Sequence, residues 1–453
     1  MESKSENTKR IAKNTLLLYV RMFVTMLVGL FTSRIVLDAL GISDYGLYNV
    51  VGGFVSMFSV LTGAMSVATG RYITYSLGLG NIEKLKKTFS TSLNIHILLS
   101  VLIIILAETL GLWFLNNKLN IPEARLFVAN WVFQFSLITF VLSLINVPYV
   151  SCIISHEKMG IYAYFSLFDV FAKLLIVYLL YITAGDKLIV YSVFLMLTNL
   201  CNQLIYWYYC KRNFQECKFE LSLDRGLFKD MLGFIGWAFL GNAVVILKDQ
   251  GITVLLNIFL GTVVNAAQGV ANQVNSIINR FVGNFMTAVN PQITKYYASG
   301  EFDSMNQLII RSSKFSVYLM LLLMLPVILN IDSILSLWLV SVPPHTNNFV
   351  KIILFYSLVE CMVTPLITAL LASGKIKIYE IILTLIYSAN IVLTFVCLKY
   401  GCEPEVVYYL LVIFKIMVLL TQISLGKRIF NLSLGPYLTL IPQHYYKIFF
   451  LST

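Results

Sequence analysis

Long apolar runs, separated by short polar stretches rich in Lys and Arg, fill most of the chain. A helix needs about 20 apolar residues to cross a hydrocarbon core about 30 Å thick, whereas a membrane β-barrel shows short strands of alternating polarity. The runs here are long and do not alternate, so the pattern predicts an all-α integral membrane protein of about twelve transmembrane helices. The expected spans are residues 14–38, 45–69, 90–115, 126–149, 160–182, 188–209, 230–259, 264–289, 310–329, 348–371, 379–399 and 406–423. The eighth is polar enough to escape a hydropathy profile, and an internal repeat identifies it.

Residues 40–92 recur at 260–312 with an offset of 220. Leu40 and Gly41 correspond to Leu260 and Gly261, Gly63 to Gly283, Ile73 and Thr74 to Ile293 and Thr294, and Gly80 to Gly300. Further along, at an offset of 217, Pro148 corresponds to Pro365 and Lys158 to Lys375. An even number of spans per repeat makes the halves parallel, and such halves in transporters enclose a site near the bilayer midplane. The expected organisation is a six-helix bundle over 1–209, a cytoplasmic linker over 210–229, a second six-helix bundle over 230–425 and a cytoplasmic tail over 426–453. The tail carries Tyr437, Tyr445, Tyr446, Phe449 and Phe450, a composition suited to the membrane interface or to a frayed end.

Composition agrees: 58% of residues are hydrophobic, 12% are charged and the mean hydropathy is +0.81, which excludes an ordinary soluble domain. The net charge of +11 by itself suggests nucleic acid. Lys and Arg, however, concentrate in alternate loops, such as Lys84, Lys86 and Lys87, or Lys211, Arg212 and Lys218, while the opposite side holds only Lys118, Arg125, Lys187, Lys351 and Lys399. This asymmetry predicts a multi-pass protein with both termini cytoplasmic and membrane lipids, not nucleic acid, as the partner of its charge. No cleavable signal is visible, and the first span is expected to serve as its own insertion signal.

Enzymatic motifs are lacking, so a transporter rather than an enzyme is expected, with no cofactor. There is no Walker lysine motif, which leaves an ion gradient, H+ or Na+, to drive transport. His96, His156, His345 and His444 show no metal-ligand spacing, and no metal is expected. Seven cysteines form no CxxC pair and read as reduced or buried small apolar residues.

The polar residues inside the spans are the functional candidates. Asn265, Gln268, Asn272, Asn275 and Asn279 fall at steps of three and four, one stripe of a helix. Amides avoid lipid, so the stripe faces either a water-filled cavity or neighbouring helices. Arg21, Lys248 and Arg280 lie too deep for easy snorkelling and would make that cavity cationic, although Asp249 offers Lys248 a local partner. With Gln268, Asn272, Asn275 and Asn279 they form the expected substrate-binding set. Asp169 and Lys173, four apart on one face, suit an internal ion pair that either only neutralises itself or exchanges during ion coupling. Glu360 is a further coupling candidate. Counting Arg34, Glu108, Lys415 and Glu380 as well, the membrane interior holds slightly more basic than acidic groups.

Two stretches, SRIVLDALGISDYGLYNVV at 33–51 and NVPYVSCIISHEKMGIYAY at 146–164, resemble polysaccharide and O-antigen flippases of the Wzx type. That family belongs to the MOP superfamily, with MATE multidrug exporters and lipid II flippases. The resemblance implies a MATE-like, V-shaped pair of six-helix bundles in a bacterial inner membrane. It implies movement of undecaprenyl-pyrophosphate-linked oligosaccharide to the outer leaflet by alternating access, for lipopolysaccharide, O-antigen or capsule synthesis beside a polysaccharide polymerase. A sugar amide stripe and buried Arg and Lys for a pyrophosphate fit that cargo. The rival is a cation-coupled MATE-like multidrug exporter, which acidic cavities favour. A membrane glycan polymerase or ligase is disfavoured by the modest loops, and a purely structural protein by the buried charges.

Overall fold

The computed structural model describes residues 4–56, 58–117, 121–183, 185–218, 224–339 and 342–432, some helical residues, among them Arg34, by backbone alone. Every regular element among them is helical. Hydrocarbon offers the backbone no hydrogen-bond partner, and a helix satisfies its own amides within one segment. In chain order the helices are α1 (Lys4–Ser56), α2 (Ser59–Gly78), α3 (Ile82–Leu106), α4 (Leu112–Asn117), α5 (Glu123–Ser155), α6 (Met159–Ile182) and α7 (Lys187–Asn213). They continue with α8 (Arg225–Leu260), α9 (Thr262–Ala298), α10 (Phe302–Leu329), α11 (Ile331–Trp338), α12 (Thr346–Ser373), α13 (Lys377–Lys399) and α14 (Glu405–Phe430). A π turn, Ala107–Gly111, joins α3 to α4, and a 3-10 turn, Gln215–Cys217, follows α7.

The expected spans all fall on these helices, with the second divided between the end of α1 and α2. Among the described residues, ten stretches are long and apolar enough to cross a membrane, and the second and eighth expected spans are not among them. The second is divided between two helices, neither of which alone holds its apolar run, and Asn dilutes the eighth. The chain divides into two compact units, Met1–Gly236 and Trp237–Thr453, with the boundary inside α8 rather than at its start. Helices extend into both ends of the expected linker, because α7 runs to Asn213 and α8 begins at Arg225. The aromatic tail residues from Tyr437 onward lie outside the described residues.

Each unit builds around one enclosed helix. In the first, α5 packs against α7, α2, α1 and α3; in the second, α12 packs against α9, α14 and α10. These are the most buried spans of their units, and they carry the corresponding prolines Pro148 and Pro365. A proline inside a helix removes one backbone hydrogen bond, a cost that neighbouring helices in a membrane can offset. Around α5, Phe89 meets Tyr149 edge-on at 5.4 Å, within a core that includes Ile73, Leu85, Leu93 and Ile153. Large apolar side chains such as Leu175, Ile182, Leu322 and Leu385 are exposed, as surfaces meant for lipid would be.

The repeat is written in the backbone as well. Gly41, at φ 78° and ψ 166°, bends α1, and Gly261, at φ 81° and ψ −177°, separates α8 from α9. That conformation is essentially restricted to glycine. At the second offset, Glu157 (φ 58°) corresponds to Gly374 (φ 75°). Glu157 has no glycine's freedom; Asn14 Nδ2 donates to its carbonyl at 3.1 Å, and Arg10 Nε lies 2.8 Å from its carboxylate.

Gly41→Ala and Gly261→Ala are each expected to cost roughly 1–3 kcal/mol, because both force a Cβ into that backbone region. Gly269→Ala, in the middle of α9 with open space around its Cα, is expected to be neutral or mildly stabilising. Thermal unfolding in detergent checks this; equal midpoints for the Gly41, Gly261 and Gly269 variants would refute the conformational argument.

Candidate functional site

In the first unit, α1, α2, α5, α6 and α7 surround a cavity of about 380 Å³. α6 contributes Asp169 and Lys173 one turn apart, so that Lys173 Nζ reaches Asp169 Oδ2 at 2.8 Å. The other carboxylate oxygen accepts from Asn202 Nδ2 of α7, also at 2.8 Å. Asp169 is therefore held on both oxygens. Arg21, from α1, lays its guanidinium over the Tyr162 ring, 4.6 Å from the centroid. Two basic side chains, Arg21 and Lys173, line this space against one acid, Asp169.

Three residues that line it also carry unused hydrogen-bonding atoms. Arg21 Nε, Asn146 Oδ1 and Asn202 Oδ1 are buried with no hydrogen-bond partner among the described residues. A buried polar atom without a partner costs about 1–3 kcal/mol, so such atoms mark places where water or a ligand is bound. Brought to the cavity surface by a small rotation of their side chains, this donor and these two acceptors, with the guanidinium, could engage both sugar hydroxyls and a phosphate. Asn146, Asn199 and Asn202 had drawn no attention as cavity residues in the sequence. Asn199 and Asn202 are three apart, the spacing of the longer stripe on α9, but two residues make too short a stripe to stand out.

The other sequence candidates sit in the second unit. Lys248 on α8 is buried, 2.9 Å from Asp249 Oδ1, and its Nζ lies over the rings of Tyr356 and Tyr387 at 5.5 and 4.9 Å. Lys415 on α14, also buried, pairs with Glu360 on α12, and its Nζ lies 5.3 Å from the centre of the same Tyr356 ring. Tyr356 thus lies within cation–π reach of two buried ammonium groups, each with its own acid. Burying an ion pair is favourable only where partners and geometry offset desolvation, and removing one member strands the other.

The amide stripe on α9 is not uniform. Asn275 and Asn279 bond to each other, with Asn279 Nδ2 3.0 Å from Asn275 Oδ1, and both bond Ser357 on α12. Asn265 donates to the Thr253 carbonyl at 3.3 Å. These are contacts between helices, the alternative use of such a stripe. Gln268 is buried, whereas Asn272 and Arg280 are exposed in the unit. The structure thus gathers Arg21, Asp169 and Lys173 in one cavity, and Lys248 and Glu360 in one charge cluster, in different units.

Two histidines are less isolated than their spacing implies. His345 Nδ1 is 2.7 Å from Glu405 Oε1, and His156 Nε2 is 2.5 Å from Glu216 Oε1. The fold supplies acids that lie 60 residues away in each case.

Residues 238–396 match the family model described as MatE. An "Uncharacterized membrane protein EpsK" of Bacillus subtilis (strain 168) is 19% identical over 283 residues, 62% of this chain and 56% of that protein. The match thus spans little more than half of the relative's length. A crystal structure of a MATE point mutant superimposes with a TM-score of 0.81 at 14% identity, covering 93% of this chain and 96% of its own. A MOP superfamily transporter from Pyrococcus furiosus, titled for the reverse polarity of its binding pocket, gives 0.77 at 15% identity, with 93% and 95% covered. The fold is that of the MATE structures.

Glu360→Gln is expected to destabilise the second unit by roughly 1–3 kcal/mol, since it leaves the Lys415 ammonium buried without its acid. Combined with Lys415→Met, the loss should be smaller than the sum of the two single changes. A double-mutant cycle on thermal unfolding tests this, and strict additivity would show that the pair is not coupled.

Proposed function

We propose that this chain of MATE fold is a transporter that moves a lipid-linked oligosaccharide across the bacterial inner membrane by alternating access. The observation that carries the reading is the polarity of the first unit's cavity. Its acid, Asp169, is bonded on both oxygens, whereas Arg21 and two asparagines keep hydrogen-bonding atoms in hand. An organic cation would find its natural acid already occupied. A pyrophosphate finds a guanidinium, whose planar fork suits bidentate contact, and sugar hydroxyls find amides. The Pyrococcus furiosus transporter of the same fold, whose binding pocket of reverse polarity suggests a different function, is a precedent for such a departure.

In this reading the undecaprenyl tail stays in lipid while the headgroup enters the protein, with Arg280, Gln268 and Asn272 of α9 as further contacts. Asp169 couples the cycle: a proton or Na+ on its carboxylate replaces the Lys173 ammonium, which frees that charge for the anionic headgroup. Glu360 offers the same exchange against Lys415 in the second unit. Both termini are cytoplasmic, and the exported glycan passes to a polymerase for O-antigen or capsule. The second reading, a cation-coupled multidrug exporter, rests on the same Asp169, which would accept an organic cation once Lys173 withdrew.

Purified protein in liposomes, with a polyprenyl-pyrophosphate oligosaccharide in one leaflet and an H+ or Na+ gradient, separates the two. Translocation is expected to fall about 10- to 100-fold in Arg21→Ala, the loss of one charge-assisted hydrogen-bond set, and less in Arg21→Lys. Arg280→Ala should also slow it. Efflux of a cationic dye, with no movement of the lipid-linked glycan, would establish the exporter instead.

A further inference from the structure

A second cluster lies away from that cavity, where the first unit meets the segment leading to the second. Cys152 and His156 stand one turn apart at the end of α5, and Glu216 and Cys217 lie in the 3-10 turn after α7. The ligand atoms of Cys152, His156 and Glu216 all fall within 4.8 Å of one another. Cys152 Sγ is 3.3 Å from Glu216 Oε1 and 3.6 Å from Cys217 Sγ. Cys152, Glu216 and Cys217 are buried, and the His156 ring stacks on Phe214 at 4.2 Å with its side chain 24% exposed.

We propose that Cys152, His156, Glu216 and Cys217 form a tetrahedral binding site for a thiophilic divalent cation, Zn2+ in the first instance. Two thiols, an imidazole and a carboxylate are the donors that Zn2+ selects. Zinc bonds of about 2.3 Å to sulfur and about 2.0–2.1 Å to nitrogen or oxygen put two tetrahedral sulfurs about 3.8 Å apart, and a sulfur and an oxygen about 3.5 Å apart. The Cys152–Cys217 and Cys152–Glu216 separations already lie within a few tenths of an ångström of these. His156 and Glu216, now at hydrogen-bond distance, must part by under 1 Å to admit the ion, and Cys217 Sγ, beyond 4.8 Å from at least one of the other ligand atoms, must draw in by more than about 1 Å. The exposed part of the His156 side chain provides the entrance. Loading releases two thiol protons to solvent, since the thiolates are the ligands. With ligands from the end of α5 and from the segment after α7, the ion would fasten the start of the inter-unit connection to the first unit.

The test uses the full-length protein in detergent, purified with reductant. Loaded with Zn2+ and desalted, it is expected to retain one zinc per chain, and Co2+ in place of zinc should give the thiolate-to-metal absorbance of a tetrahedral site. Changes beside a metal already cost about 10–100-fold in affinity, so Cys152→Ser or His156→Gln is expected to weaken Zn2+ binding by at least about 100-fold. Cys201→Ser, at an exposed cysteine, should not change it. Should Cys152→Ser fail to fold, the partly exposed His156 and the cobalt spectrum of the unaltered protein still decide. Absence of stoichiometric zinc and of the cobalt band overturns the proposal, as does a band that survives His156→Gln. A Cys152–Cys217 disulfide in the reductant-purified, metal-free protein overturns it too, since a redox pair would then occupy these thiols.

Discussion

Hydrocarbon gives no hydrogen bonds and little screening, so a polar group set between the ends of these helices must be answered by the protein or by water it encloses. That constraint first makes the backbone helical. It then sorts the few polar side chains within the spans. Lys248 and Lys415 are buried, each beside its acid and over aromatic faces. Asn275 and Asn279 close on Ser357 between helices. Beside the cavity of the first unit, Arg21 Nε, Asn146 Oδ1 and Asn202 Oδ1 are left without partners among the described residues, as are Glu380 Oε2, Asn390 Oδ1 and Gln422 Oε1 in the second unit.

The two halves share their skeleton and differ in their chemistry. Gly41 and Gly261 adopt the same glycine-only conformation, and Pro148 and Pro365 sit in the most enclosed helix of each unit. At the aligned positions Glu157 and Gly374 both residues have a positive φ, although only one is a glycine. In the first half the cost of a left-handed glutamate is offset by Asn14 and Arg10, which tie it to the first helix. The polar groups, by contrast, line a cavity in one unit and form a charge cluster, with its lysines buried, in the other. A repeated fold fixes where helices bend and pack, while side chains inside it are free to divide the work.

The turn after α7 shows the same principle at the edge of the membrane. Glu216 is buried there against His156 and two thiols, an arrangement that apolar packing alone does not call for. A carboxylate in such a place either neutralises an imidazolium or serves as one of several ligands. The second use explains the thiols as well.

The sequence by itself determined the all-helical membrane class, the repeat and the positions of the spans, because each is a property of local hydropathy or of spacing along the chain. It also singled out Arg21, Asp169, Lys173, Lys248 and Glu360, since an ionisable residue inside an apolar run is conspicuous whatever it touches. The tertiary structure alone decided their company. Asp169 meets Asn202 across 33 residues and His156 meets Glu216 across 60, while the amides of α9 find Ser357 on α12 about 80 residues on. A single asparagine in a span, or a histidine without ligand spacing, carries no mark of its use, because a hydrogen bond or a coordination sphere depends on distances of about 3 Å that only helix packing sets.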